Sequence, residues 1–108
     1  MDNLKVNEKE GANYRLFELN GAFNAYTVGE FQSKLYDYIA KMNVVLNLEK
    51  ITEMDPTGMG IIMAAYNDAE VAGTKLFLLS PSNEALTVIT NTGFKNLFKI
   101  INSVTEVD

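Results

Sequence analysis

The sequence contains neither cysteine nor histidine. The lack of cysteine excludes disulfides and thiol nucleophiles, and the lack of histidine excludes imidazole as a general base. The two absences together remove the ligands from which the commonest zinc sites are built. Most familiar hydrolase and zinc chemistries are therefore excluded, and we expect neither a metal ion nor another cofactor.

Basic residues are also scarce. The chain has 9 lysines and arginines against 14 aspartates and glutamates, which gives a net charge of −5. A negative surface opposes contact with phosphate groups, so direct binding to nucleic acid or to an anionic membrane is disfavoured. We expect a protein as the partner.

Long apolar runs are missing as well. No run approaches the roughly 20 residues of a membrane-spanning helix, and residues 1–5 do not have the layout of a secretory signal. We therefore expect a cytoplasmic protein. A length of 108 residues with 47% hydrophobic content suits a single core, so we predict one domain over residues 1–108.

Strand and helix patterns alternate along the first half of the chain. Apolar residues at 4–6 and 14–19 predict an antiparallel hairpin. Apolar residues at helical spacing over 28–42 predict a helix with Thr27 as its cap. The branched run 44–48 is typical of a strand covered on both faces, which indicates a central position in a sheet.

Four further elements continue this alternation. They are a more deeply buried helix over 59–73, a strand at 76–79, a helix from Ser80-Pro81 to Gly93, and a strand at 97–101. Strands that alternate with helices pair in parallel through crossover connections. The expected fold is an α/β domain with a mixed, mostly parallel sheet, an N-terminal antiparallel hairpin and about four helices.

The segment 55–60, Asp-Pro-Thr-Gly-Met-Gly, lies between the central strand and the second helix. In a structural interpretation, Asp55 caps the helix and Pro56 occupies its first position, where the missing amide costs nothing. Gly58 and Gly60 would then let the helix pack closely on the sheet. In a functional interpretation, the helix N-terminus meets an anion or a partner surface.

The two prolines of the chain share this layout. Asp55-Pro56 and Ser80-Pro81 each follow a predicted strand, and each places a capping side chain before a proline at the first helical position. The same local signal therefore predicts a capped helix at both junctions.

Three motifs occur in a fixed order at residues 21–27, at 44–48 continued by 54–60, and at 91–100. They resemble the turn, the strand with its D-S-[ST]-G-[LM]-G loop, and the T-G-[LF]-x-x-[LI]-F tail of the STAS family, the domain of bacterial anti-sigma factor antagonists. The resemblance covers almost the whole chain. It implies a STAS-like fold for the single α/β domain.

The resemblance implies a binding protein rather than an enzyme. In that family the domain binds an anti-sigma factor with a serine kinase-like fold and so frees a sigma factor. Phosphorylation of the serine after the loop aspartate switches the interaction off, since a phosphate adds about −1.5 to −2 charge to the contact surface. Pro56 occupies that position here and cannot accept a phosphoryl group. Thr57 is the remaining hydroxyl and the candidate phosphorylation site.

The candidate partner-binding residues implied by the resemblance lie in the first two motifs. They are Phe23, Asn24, Tyr26, Thr27, Asp55, Pro56, Thr57, Gly58 and Met59. Asn24 stands where the family commonly has an aspartate, and it also fits a plain turn residue. Met59 fits the core as well as an adaptable contact surface.

Two other functions stay open. The first is a scaffold or accessory STAS subunit that assembles with other STAS domains in a larger signalling or transport complex. The second is nucleotide hydrolysis at the helix start 55–60. It is disfavoured because the sequence has no G-x-x-x-x-G-K-[ST] phosphate loop, no catalytic histidine and no convincing acid and base pair.

Overall fold

The computed structural model describes residues 3–107 and contains one five-stranded sheet with the strands in sequence order. The strands are β1 Leu4–Glu10, β2 Arg15–Phe23, β3 Val44–Met54, β4 Leu76–Leu79 and β5 Lys99–Ile101. β1 and β2 form an antiparallel hairpin, and all other neighbours pair in parallel. The predicted mixed sheet, the N-terminal hairpin and the central position of β3 are confirmed.

The helices of the described part of the chain are fewer than expected. They are α1 Gly29–Ile39, α2 Pro56–Ala72 and α3 Asn83–Asn91, together with two short 3-10 helices at Lys95–Leu97 and Val104–Glu106. The expectation of about four helices was therefore too high by one. None of the helices that the structure describes is both long and apolar enough to cross a membrane.

The helix α1 begins later than predicted and without the predicted cap. Its N-cap is Val28, whose side chain makes no capping hydrogen bond. The Thr27 hydroxyl instead donates to the carbonyl oxygen of Ala22 at 2.7 Å. The prediction of Thr27 as a helix cap was wrong, because its hydroxyl stabilises the preceding loop.

The start of α3 also differs from the prediction. The N-cap is Ser82, whose Oγ accepts a hydrogen bond from the amide of Ala85 at 3.1 Å. Ser80-Pro81 therefore lies before the helix and does not open it. The helix ends at Asn91, and Gly93 follows with a left-handed φ of 78° that suits glycine.

Four strands have bounds other than those predicted, and β1 and β2 run on to Glu10 and Phe23, beyond the predicted 4–6 and 14–19. β3 continues past Leu48 to Met54. The sequence pattern did not show this extension, because register shifts in the pairing with β2 interrupt the simple alternation of apolar residues. β5 begins only at Lys99, since the amide of Leu97 bonds to the carbonyl of Phe94 at 2.9 Å and forms a 3-10 turn there.

The two faces of the sheet carry cores of different size. On the helix side, Phe17 packs edge-on against Phe31 and Tyr38, with ring centroids 5.2 Å and 5.8 Å away. The opposite face carries a smaller cluster that residues of the C-terminal segment cover. Its buried members are Leu16, Val45, Phe77, Leu79 and Ile101. The first half of β3 is thus covered on both faces, as its branched run predicts.

Candidate partner-binding site

The junction between β3 and α2 has the geometry of a capped helix start. Asp55 is the N-cap in an extended conformation, and its Oδ1 accepts a hydrogen bond from the amide of Gly58 at 2.8 Å. Pro56 is the first helical residue, where its missing amide leaves no bond unmade. The structural interpretation of Asp55 and Pro56 is confirmed. Thr57, the next residue, is exposed.

The second carboxylate oxygen of Asp55 connects this junction to the loop after β2. Asp55 Oδ2 accepts a hydrogen bond from the amide of Ala25 at 3.1 Å, and the Asp55 amide donates to the carbonyl of Phe23 at 3.4 Å. One side chain therefore caps α2 and holds a second loop beside it. The sequence shows the cap but not this link. Parallel pairing of β2 and β3, which brings their carboxyl ends together, was the signal that could have indicated it.

Asn24 shapes the loop after β2 from the inside. Its side chain is 2% exposed, and its Oδ1 accepts a hydrogen bond from the amide of Tyr26 at 2.9 Å. Its Nδ2 donates to Oε1 of Glu53 on β3 at 3.2 Å. The interpretation of Asn24 as a turn residue is confirmed, and its amide also fastens the turn to the central strand.

Gly58 is required for the close approach of α2 to the end of β2. A Cβ atom at this position would collide with the backbone carbonyl oxygen of Phe23 and lie 2.7 Å from the ring carbon Cδ2. The prediction that Gly58 permits close packing is confirmed. The same prediction for Gly60 was wrong, because a Cβ there would meet no atom within 4 Å.

The structure separates the candidate partner-binding residues by exposure. Tyr26, Pro56 and Thr57 are exposed, Thr27 and Asp55 are half-buried, and Phe23, Asn24, Gly58 and Met59 are buried. Tyr26 is 91% exposed, the highest value among the exposed large hydrophobic residues of the described chain. The buried residues hold the two loops, and the exposed ones are the groups that a partner can touch.

We use the name docking surface for the exposed residues Ala25, Tyr26, Pro56 and Thr57, which two hydrogen-bonded loops bring together. A tyrosine, a proline and a threonine offer apolar area and hydroxyl groups. Across residues 3–107, no three acidic, histidine or cysteine side chains are grouped so that they could hold a metal ion.

Almost the whole chain is similar to known proteins. The sequence model of the STAS domain matches residues 3–107. The anti-sigma-B factor antagonist of Staphylococcus aureus is 25% identical over 108 residues, which cover 98% of this chain and 99% of that protein. The anti-sigma-B factor antagonist of Listeria monocytogenes is 24% identical over 101 residues, which cover 92% of this chain and 88% of that protein.

The fold is also similar to that of solved structures. The anti-sigma factor antagonist SpoIIAA in its unphosphorylated form gives a TM-score of 0.78 at 18% identity, with 94% of this chain and 91% of that chain covered. The phosphorylated form of this Bacillus protein gives a TM-score of 0.75 at 18% identity, with 94% and 95% covered. The predicted STAS-like fold is confirmed. The chain belongs to the STAS domain family, and the relatives that it matches there are anti-sigma factor antagonists.

Proposed function

We propose that this protein is an anti-sigma factor antagonist, a binding protein rather than an enzyme, which contacts an anti-sigma factor through the docking surface. The names of the relatives in two bacterial genera support the role. The observation that supports the site is the carboxylate of Asp55, which bonds to Gly58 and Ala25 and so fixes both loops side by side. Because bacterial transcription takes place in the cytoplasm, the role implies a cytoplasmic location.

The docking surface suits recognition because it is exposed and already ordered. Loops held by hydrogen bonds before binding lose less conformational entropy when the complex forms. Tyrosine is one of the residue types that contribute most to interface energies, and Tyr26 is 91% exposed. We propose Tyr26 as the main contact, with Pro56 and Thr57 beside it.

The partner that we propose is an anti-sigma factor with a serine kinase-like fold. Because of Pro56, phosphorylation by that partner would not dissociate the complex. Pro56 occupies the position at which the family carries its phosphoserine, and it has no hydroxyl. Thr57 has one, exposed in the first turn of α2. A phosphate there would be favoured by the helix N-terminus and opposed by the neighbouring Asp55. We propose that the antagonist binds without phosphoryl control.

The first experiment tests binding. The purified protein is mixed with a kinase-like anti-sigma factor from the same organism, and the complex is measured by native mass spectrometry and calorimetry. We expect a stoichiometric complex that Tyr26→Ala weakens about tenfold or more, as truncation of an aromatic interface residue does. Val71→Ala is the matched control, because Val71 is 90% exposed and lies near the far end of α2. Equal losses from both variants, or no complex, would refute the proposed site.

The second experiment tests the loss of control. Adding ATP and magnesium should leave the complex of the unmodified protein intact. Pro56→Ser should be phosphorylated and released under the same conditions, whereas Pro56→Ala, which has no hydroxyl, should stay bound. Phosphorylation of the unmodified protein at Thr57 with release of the complex, both abolished by Thr57→Val, would contradict the unregulated antagonist while leaving the binding role in place.

A further inference from the structure

A polar groove crosses the first three strands on the face of the sheet that is opposite α1 and α2. Its volume is about 320 Å³. The polar residues that line it are Lys5, Asn7, Glu18, Asn20, Asn47 and Lys50. The adjoining part of this face is apolar and is covered by the C-terminal segment, whereas the groove is open. This surface is separate from the docking surface.

The register of the sheet arranges these residues in two rows. Asn20 on β2 is opposite Lys5 on β1 and Lys50 on β3. Because neighbouring strands are about 4.8 Å apart, the Cα atoms of the two lysines lie about 10 Å apart. The four-carbon side chains of both lysines can therefore reach the same small ligand. Asn20 stands between them and adds an amide donor.

The second row carries groups for uncharged polar ligand atoms. Glu18 on β2 is opposite Asn7 on β1 and Asn47 on β3. Asn7 Nδ2 donates to Glu18 Oε1 at 3.4 Å, and Oδ1 of Asn47 accepts from the amide of Glu49 at 3.0 Å. Carboxylate and amide oxygens accept hydrogen bonds from hydroxyl groups, and amide nitrogens donate to them.

The charge in the groove is positive although the protein as a whole is negative. Lys9 Nζ is 3.1 Å from Glu18 Oε1, and Glu18 is the one carboxylate among the described residues that line the groove, so it already has a cationic partner. Over residues 3–107, neither Lys5 nor Lys50 forms an ion pair. In a chain with a net charge of −5, two such ammonium groups on one open groove form a local site for an anion.

We propose that this groove binds a phosphorylated sugar. The phosphate is held by Lys5, Lys50 and Asn20. The second row, which is Asn7, Glu18 and Asn47, accepts hydrogen bonds from the sugar hydroxyls and donates hydrogen bonds to them. The volume of about 320 Å³ is at the lower end of the range of small-molecule sites. None of the described residues that line the groove is aromatic, so a nucleobase would find no stacking partner. This favours a sugar phosphate over a nucleotide.

A nuclear magnetic resonance titration of the isotope-labelled full chain with glucose 6-phosphate tests the proposal. We expect amide shift changes at 5–7, 18–20 and 47–50. Lys5→Gln and Lys50→Gln should each weaken binding about tenfold, since each removes a charge-assisted hydrogen bond. Lys95→Gln is the matched control, because Lys95 is exposed and lies outside the groove. Its affinity should change less than about twofold.

Three results would overturn the proposal. The first is the absence of shift changes at millimolar glucose 6-phosphate, and the second is a set of changes that persists in both lysine variants. The third is tight binding of another ligand. Inorganic phosphate that binds as tightly as glucose 6-phosphate would show that the second row does not contribute, and adenosine monophosphate that does so would show that the groove does not prefer a sugar phosphate to a nucleotide. No anti-sigma factor takes part in this titration, so its result is independent of the antagonist proposal.

Discussion

The two strand-to-proline junctions have the same sequence layout and different structures. After β3, Asp55 caps α2 and Pro56 is the first helical residue. After β4, Ser80 has a φ of 47°, and α3 begins two residues beyond Pro81, with Ser82 as its cap. The dipeptide of a capping residue and a proline therefore marks the end of a strand at both places, but it marks the start of a helix at only one.

Hydrogen bonds from distant parts of the chain produce this difference. The Ser80 amide donates to the carbonyl of Ile101 at 2.9 Å, which holds Ser80 to the end of β5. The Ser82 amide donates to the carbonyl of Leu48 at 3.1 Å, which places the second serine at the helix start. Asp55 instead uses one oxygen for its helix and the other for Ala25. The junction at the proposed site is the one whose cap also orders another loop.

The largest effect that we predict is on the packing of the β3–α2 junction. Gly58→Ala should lower the free energy of unfolding by about 3 kcal/mol, because the added methyl group meets the backbone carbonyl of Phe23, which cannot rotate away. Gly60→Ala is the matched control in the same helix. It should raise the free energy of unfolding by about 0.5 to 1 kcal/mol, since its Cβ meets nothing and alanine favours the helix. Urea denaturation measures both.

A similar loss of stability in both glycine variants would break the comparison, because a general cost of the substitution would then explain the data. Opposite signs would show that the close contact between Gly58 and Phe23 is specific to this junction. Gly58→Ala should also lose affinity for the partner, because the loop that carries Tyr26 follows directly on Phe23.

The next effect compares the two capping side chains. Asp55→Ala should lower the free energy of unfolding by about 2 kcal/mol, of which about 1 is the cap and the remainder the bond to Ala25. Ser82→Ala should lower the free energy of unfolding by about 1 kcal/mol, because Ser82 Oγ caps α3 and has no second role of the kind that Asp55 has. Thermal and urea unfolding of the two variants measure the difference.

Asp55→Ser separates the two roles of this carboxylate. A serine can keep the hydrogen bond to Gly58 but has a single oxygen, so about half of the loss should be restored. Equal losses from Asp55→Ala and Ser82→Ala would mean that the link to Ala25 contributes no stability, and the two junctions would then differ only in geometry.

Local patterns predicted the elements that depend on near neighbours. The hairpin, the central strand, the cap at Asp55 and the stop at Gly73 all follow from side-chain periodicity, proline chemistry or a left-handed glycine. The predicted cap at Thr27 and the predicted helix start at Ser80-Pro81 were wrong for different reasons. The Thr27 hydroxyl bonds to the carbonyl of Ala22 five residues earlier and not to α1, whereas the amides of Ser80 and Ser82 bond to the carbonyls of Ile101 and Leu48 in distant strands.

The candidate site was predictable as a pair of segments but not as a surface. The resemblance indicated residues 21–27 and 54–60, yet the bond that joins Asp55 to Ala25 spans 30 residues and leaves no periodic signal. Burial also could not be read from residue type, since Asn24 is 2% exposed while Tyr26 is 91% exposed. Polarity alone would have ranked them the other way.

The smallest effect concerns the backbone of the second junction. A left-handed conformation costs a residue with a Cβ about 1 kcal/mol, and Ser80 is the one non-glycine residue with positive φ within residues 3–107. Ser80→Gly should therefore raise the free energy of unfolding by up to about 1 kcal/mol, less the backbone entropy that glycine loses on folding. Ser82→Gly should instead lower it by a few tenths, since a glycine is a fair N-cap. If Ser80→Gly were the more destabilising of the two in urea, the strain at φ 47° would not be what distinguishes this junction from Asp55-Pro56.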